Sequence, residues 1–279
     1  MEKPDSVKSK DLYPAIFSRH ARSYEQRLDQ AMARGEARGR LRVVDLVEAG
    51  PGMRVLDLAC GPGNLTSLLA RLVAPGGEAV GVDLAPGMIE RARARGIGNA
   101  RFEVMDIEAL RFANAAFDAA TCGHGLQFVP NLDRALAETR RVLKAGSRFA
   151  ASVPVGSPSQ GVLELLDSVV DRLLPPAPRA VDQDATRKTV SDPEPFAASA
   201  RGAGFESARV ETIEEKTVWQ SAEQLVGMFA SWWDCAARLE GLDEGPRREF
   251  IAEATDVLRR EHPGRIETTA RNLVILAIA

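Results

Sequence analysis

Three carboxylates close three successive strand-like runs, and a pair of glycines follows the first. Asp57 lies in Val55-Leu56-Asp57-Leu58-Ala59-Cys60-Gly61-Pro62-Gly63-Asn64, Asp83 follows the run Glu78–Val82, and Asp106 follows Val104-Met105. A carboxylate among apolar residues is costly unless hydrogen-bond donors or a cation meet it. Gly61 and Gly63 carry no Cβ, so the backbone there can turn sharply and approach a ligand closely. An acid at the end of the second strand suits the paired hydroxyls of a ribose. One at the end of the third can accept from an exocyclic amine such as that of adenine, with Met88 and Ile107 offering apolar surface to the base. A glycine loop alone is a weak signal; three acids at three strand ends are a sharper one.

The charge on the ligand can be narrowed. A dinucleotide fingerprint wants a third glycine and a free helix start for the pyrophosphate. Here the third position is Thr66, and Asp57 would repel a pyrophosphate. No Walker lysine is present. A nucleoside presenting an ammonium or sulfonium fits better, and S-adenosylmethionine meets that description. A nicotinamide dinucleotide stays as the weaker alternative.

The elements that must carry these residues alternate in a regular way. Strand-like runs fall at Arg54–Leu58, Glu78–Val82, Arg101–Met105, Ala116–Cys122 and Ser147–Val153, with helical patterns at Leu65–Val73, Pro86–Arg95 and Leu132–Leu143. Strands alternating with helices predict a parallel sheet covered on both faces. Ahead of them, residues 14–48 read as helix up to Gly50-Pro51-Gly52. Behind them come a helix at Gln160–Leu174, a Pro175-Pro176-Ala177-Pro178 break and a polar run. Then follow a short helix Pro193–Arg201, a long strand Phe205–Trp219, helices Ala222–Glu240 and Arg247–Glu261, and a final strand Leu273–Ile278. The expected organisation is an N-terminal helical cap (1–50), a ligand-binding core (51–155), a helical lid insert (156–190), and the rest of the core (191–279) with a second helical insert at 222–262.

The chain has 279 residues, enough for one large α/β domain with insertions. With 36 basic and 39 acidic side chains, the net charge of −3 offers no field for a polyanion, so nucleic acid is not expected as a partner. The three cysteines, Cys60, Cys122 and Cys235, form no C-x-x-C pair, so neither a metal site nor a disulfide framework is expected. The charged N-terminus and the lack of a long apolar run predict a cytoplasmic protein with no membrane contact. The oligomeric state is open, and a homo-oligomer is compatible with the sequence.

The chain resembles the class I S-adenosylmethionine-dependent methyltransferases, and within them the ubiquinone/menaquinone-biosynthesis-type small-molecule group. The segments that carry the resemblance are "VLDLACGPGN", "GVDLAPGMIERARA", "ARFEVMDIEAL", "FDAATCGHGLQFVPNLDRALAETRRVLKAGSRF" and, more loosely, "FSRHARSYE". It implies a Rossmann-like, seven-stranded, mostly parallel sheet with the last strand antiparallel, plus helical lid inserts. By the same resemblance Asp57, Gly61 and Gly63 hold the methionine part of the cofactor. Asp83 holds the ribose, flanked by Leu84 and Met88, and Asp106 and Ile107 hold the adenine. Backbone around Cys122 and Gly123 borders the methionine amino group, and Tyr24 covers the cofactor. Cys60, Asn64 and Ala145-Gly146-Ser147 depart mildly from the family pattern without removing a contact.

Methyl transfer needs a base only where the acceptor arrives protonated. His124, after the fourth strand, is the first candidate, and His20, beside Tyr24, the second. A histidine at either place could instead serve only as a hydrogen-bonding structural residue. Acceptor specificity is expected in the N-terminal helix, with Tyr13, Phe17 and Tyr24, and in the helical inserts. Phe229, Trp232 and Trp233 are expected on one helix face, as core or as the wall of an acceptor pocket. The expected reaction is methylation of a small, fairly apolar acceptor in specialised or quinone-type metabolism. The alternative is a cyclase or rearranging enzyme on the same cofactor-binding fold.

Overall fold

The computed structural model describes residues 7–156 and 160–279. Seven strands form one sheet: β1 Arg54–Leu58, β2 Glu78–Asp83, β3 Ala100–Val104, β4 Phe117–Gly123, β5 Leu143–Val155, β6 Ser207–Trp219 and β7 Ile266–Ile278. Their order is β3-β2-β1-β4-β5-β7-β6. Strands β1 to β5 pair in parallel, and β7 runs antiparallel to both β5 and β6. The sheet is therefore of the expected Rossmann-like kind. From β1 the chain winds outward through β2 to β3, then returns to place β4 on the other side of β1. The loops after β1 and β4 part in opposite directions and leave a crevice between them, the usual ligand position in such sheets.

The pleat explains the burial pattern. Leu56 and Leu58 face a core shared with Leu132, Ala135 and Leu136 of α6 (Leu132–Val142) and Phe196 of α9 (Pro193–Gly202). Val55 faces the other core, with Val43 and Val47 from the α3 region (Arg38–Leu46) and Leu65, Leu69 and Val73 of α4 (Asn64–Val73). Asp57, two residues on, points to that second face. Helix α4 starts at Gly63, whose φ is +81°, and a Cβ there would meet the Phe102 ring at 3.1 Å. Helix α5 (Pro86–Ala94) opens on a proline, which loses no hydrogen bond in the first turn. Gly87 in that turn is pressed against α1 (Ser9–Arg19): an added Cβ would stand 2.6 Å from the Ser18 carbonyl oxygen.

The expected helical stretch at 14–48 divides into α1, α2 (Ala21–Ala33) and α3. The chain bends at His20, and Gly35, with φ +70°, turns it after α2. Strand β7 begins at Ile266, ahead of the expected Leu273, because its polar half pairs with the polar half of β6 from Ile213 to Trp219. The polar run after the proline break contains a helix the sequence reading did not expect, α8 (Asp184–Val190).

Residues 222–240 were expected as one helix and are two, α10 (Ala222–Ala230) and α11 (Trp233–Leu239). Trp232 is extended, with φ −65° and ψ 147°. The Ser231 carbonyl, which a continuous helix would use, accepts instead from Arg27 Nη1 of α2. Phe229, Trp232 and Trp233 therefore do not share a helix face. Phe229 and Trp232 pack with α7 (Gln160–Leu173) and α12 (Glu244–Glu261) in a separate hydrophobic cluster, while Trp233 turns toward the N-terminal helices.

Candidate active site

The crevice at the carboxyl ends of β1, β2 and β4 opens into a cavity. Gly61, Asp83, Leu84 and Met88 line one side, Asp106 and Ile107 another, and Gly123 and His124 a third. Tyr24 of α2 covers Gly61, with its ring 3.9 Å from where a Cβ would stand. A smaller cavity of about 280 Å³ continues beneath Tyr24, lined by Asp57, Gly61, Asn64, Gly123 and Arg40.

Asp57 is 1% exposed and finds its donors within the chain. Thr66 Oγ1 donates to Oδ2 at 2.6 Å and Thr121 Oγ1 to Oδ1 at 2.9 Å. Thr66, which stands where a dinucleotide fingerprint has glycine, thus compensates the buried acid. Burial still dominates, and the Asp57 carboxyl is pushed up to about 6. A positive group in the smaller cavity would offset that cost.

Asp83 accepts from Gly61 N–H and from Ala85 N–H, both at 2.9 Å, one on each carboxylate oxygen. Burial raises its pKa and these backbone donors oppose the rise. Each oxygen keeps a lone pair for a hydroxyl. Asp106 accepts from Glu108 N–H at 2.9 Å and from Lys10 Nζ at 2.6 Å. Lys10 also donates to Glu108 Oε2 at 2.6 Å, so α1 is tied across the end of β3. Burial works against the ammonium, but the two carboxylates outweigh it and raise its pKa.

His124 sits in the left-handed region, with φ +63°, on the turn after β4. Its N–H donates to the Ser152 carbonyl at 2.9 Å, and its own carbonyl accepts from Gln127 Nε2 at 2.9 Å. Nε2 is buried without a hydrogen-bond partner among the described residues. Burial and the nearby Arg40 charge lower its pKa well below 6.5, although a hydrogen bond with Asn272 opposes them. The ring is therefore neutral at physiological pH, and the burial that keeps it neutral also disfavours its protonated form.

Three of the expected site residues stand off the cavity walls. Gly63 serves the helix start and packs on Phe102. Cys122 is fully buried behind Gly125, with its thiol pushed up to about 12 by burial. His20 does not line the cavity; its Nε2 lies 3.5 Å from Glu240 Oε2.

Other residues at the site were not singled out in the sequence. Arg40 donates to the Tyr24 hydroxyl at 3.1 Å and places a cation beside Gly123. Phe128, too, was not singled out; with Trp233, which the sequence reading offered as core or pocket wall, it joins Tyr13 and Phe17 in a wall of rings with centroids 4.9 to 6.4 Å apart. Only the Arg40 position carries a sequence signal, a guanidinium in a partly buried helix, and that signal is faint.

A methyltransferase domain family matches residues 55–146. The 2-phytyl-1,4-naphthoquinone methyltransferase of Synechococcus elongatus is 33% identical over 220 residues, covering 73% of this chain and 93% of that protein. The demethylmenaquinone methyltransferase of Symbiobacterium thermophilum is 34% identical over 153 residues, 52% of this chain and 61% of that protein. Among solved structures, the YcgJ protein of Bacillus subtilis shares the fold with a TM-score of 0.54 at 21% identity, covering 86% of this chain and 97% of that one. The chain belongs to the class I S-adenosylmethionine-dependent small-molecule methyltransferases. Its cofactor is S-adenosylmethionine, and the residues present fit it. Asp83 has free lone pairs for ribose hydroxyls, and Asp57 is a buried acid beside a small cavity that a cationic tail would neutralise. No helix among the described residues is long and apolar enough to cross a membrane.

Proposed function

We propose that this enzyme methylates a small, flat, largely apolar ring compound of the quinone type. The wall formed by Tyr13, Phe17, Phe128 and Trp233 carries this reading, because Tyr13, Phe17 and Phe128 line the same cavity as Gly61, Asp83 and Gly123. Aromatic faces pack well on flat rings. The two relatives named for a naphthoquinone and for demethylmenaquinone support the same class.

In this reading Asp83 would hold the ribose hydroxyls and Asp106 the adenine amine, with Met88 and Ile107 offering apolar surface to the base. Asp57 and the Gly61 and Gly123 backbones would hold the methionine ammonium, Arg40 its carboxylate, and Tyr24 would cover the site. The bound cofactor supplies an electrophilic methyl group. The chain holds the acceptor in line with it, and alignment of this kind accounts for several kcal/mol, on the order of 7 to 11 in favourable cases. His124 Nε2, without a partner at the cavity wall, would take the acceptor's proton. His20, facing Glu240, takes no part. We place the enzyme in the cytoplasm, in keeping with three buried, unpaired cysteines.

Calorimetry with S-adenosylhomocysteine and incubation of labelled cofactor with 1,4-naphthoquinol test the reading. Binding is expected, with a product heavier by one methyl group, and Asp83→Asn is expected to weaken binding about tenfold or more. Absence of heat overturns the cofactor assignment. A product of unchanged mass would favour the rearranging-enzyme alternative.

A further inference from the structure

A buried asparagine opens the apolar half of β7. Asn272 is 2% exposed and stands directly before residues 273–277, which are apolar throughout. A buried carboxamide needs partners for its N–H groups and for its oxygen. On the sheet this one lies close to His124. The Ser152 carbonyl that accepts from the His124 N–H belongs to a residue paired with Val274, and Asn272 is two residues along on the same face of β7. Helix α3 presses on that face: a Cβ on Gly39 would stand 3.0 Å from Asn272 Cβ and Cγ.

The partners of the carboxamide form a chain. Asn272 Nδ2 donates to Glu215 Oε1 of β6 at 3.0 Å, and the Gly39 N–H donates to the same oxygen at 2.6 Å. An oxygen that accepts two N–H bonds carries no proton, so the amide must turn its NH2 group toward it. The amide oxygen is then left for the His124 ring, with which Asn272 also hydrogen-bonds. That oxygen only accepts, so the ring nitrogen it meets carries the hydrogen. Nε2 has no partner, so the bonded nitrogen is Nδ1. A neutral imidazole has a single N–H, and holding it on Nδ1 leaves the lone pair on Nε2.

We propose that Glu215 and Asn272 are positioning residues for His124: they fix the ring as its Nδ1–H tautomer and so keep the Nε2 lone pair free for the acceptor's proton. This inference rests on the reading of His124 as the base. Neither residue lines the cofactor cavity. Glu215 acts only through the amide. Without it Asn272 is free to turn over, donate to Nδ1 and move the hydrogen to Nε2, where no lone pair would remain for the acceptor. The same chain eases protonation of a buried ring, because the amide oxygen accepts from the imidazolium as well.

The test reads the tautomer directly, by long-range proton–nitrogen correlation NMR near neutral pH on the full chain labelled with heavy-nitrogen histidine. The chain has three histidines, so the His124 signals are those missing from His124→Asn. The wild type is expected to carry its hydrogen on Nδ1. Asn272→Leu keeps the size and offers no acceptor. It should lose that preference and lower kcat about tenfold or more, while the acceptor KM and S-adenosylhomocysteine affinity change less than about twofold. Glu215→Leu should mix the two tautomers. Glu215→Gln, whose amide oxygen still accepts from Asn272 and Gly39, should retain the wild-type form. A wild-type hydrogen on Nε2, or an unchanged tautomer in both Asn272→Leu and Glu215→Leu, overturns the proposal. The wild-type spectrum decides the first of these without any variant, so misfolding of a variant does not shield the proposal. A His124→Asn loss below about threefold, beside the expected tautomers, overturns the base reading alone.

Discussion

Asp57 links folding to pH. Its carboxyl ionises near 3.8 in the unfolded chain and near 6 in the folded one, because burial outweighs the two threonine hydroxyls. Between those values the folded protein keeps a proton that the unfolded chain has lost. The stability contributed by this residue is therefore full below about pH 4 and is lost as pH rises through about 6. A shift of this size corresponds to about 3 kcal/mol. Asp57→Asn removes the titration. In urea unfolding, the variant is expected to gain on the wild type by up to about 3 kcal/mol between pH 4 and pH 7. A difference independent of pH would show that Asp57 is compensated more fully than its two hydroxyl partners allow. His124 behaves in the opposite sense. A base works only when deprotonated, and its pKa lies well below 6.5, so kcat should stay flat from about pH 6.5 to 8 and fall only at lower pH. Asparagine tolerates the +63° backbone angle and removes the base. His124→Asn should lower kcat by about 10² to 10⁴ while cofactor affinity holds. A loss smaller than threefold would assign the proton to solvent.

The elements differ in how far the sequence foretells them. The strand-end acids were legible because a period of two, followed by glycine and a helical pattern, places Asp83 and Asp106 at the sheet's edge whatever the rest of the chain does. Lys10 and Arg40 were not legible. They lie on α1 and α3, and tertiary packing alone brings those helices to the cavity. The break between α10 and α11 was hidden for a similar reason: the group that takes the Ser231 carbonyl is Arg27, 204 residues away in sequence. Arg27 also lies over the Tyr24 ring, 4.9 Å from its centroid. One guanidinium thus joins Tyr24, the proposed cover of the cofactor, to the turn that presents Trp233. Arg27→Met keeps most of the packing and removes the charged bond, with an expected cost of about 1.5 to 3 kcal/mol. Its sharper readout is kinetic. The acceptor KM should rise several-fold while S-adenosylhomocysteine affinity changes less, because Trp233 backs the proposed acceptor wall and is not one of the proposed cofactor contacts. Equal changes in both would indicate that Arg27 serves general stability alone.

The whole molecule has more than one apolar core, and they have separate duties. The cores flanking β1 to β5 support the strand ends that carry the proposed cofactor acids, and a small cluster of Ala21, Ala85, Met88, Phe17 and Tyr24 completes that side. The cluster of α7, α10 and α12 is built on Leu166, Leu225, Phe250 and Leu258, and none of the proposed cofactor contacts belongs to it. It does hold Trp232 and Cys235, the neighbours of Trp233, so it sets the acceptor wall from behind. Phe250 is 0% exposed, and Phe250→Ala should cost about 3 to 5 kcal/mol by leaving a cavity there. The separation of cores predicts where that loss falls. Hydrogen exchange should quicken across α7, α10, α11 and α12, while β1, β2 and β4 keep their protection. Calorimetry should still register S-adenosylhomocysteine, because Gly61, Asp83 and Asp106 rest on the other cores. Turnover of the ring acceptor should fall sharply, because Trp233 loses its support and Tyr13 its edge-on partner. Uniform loss of protection across the sheet together with loss of cofactor binding would show instead that the cores fold as one cooperative unit, and the division of labour between them would fall with it.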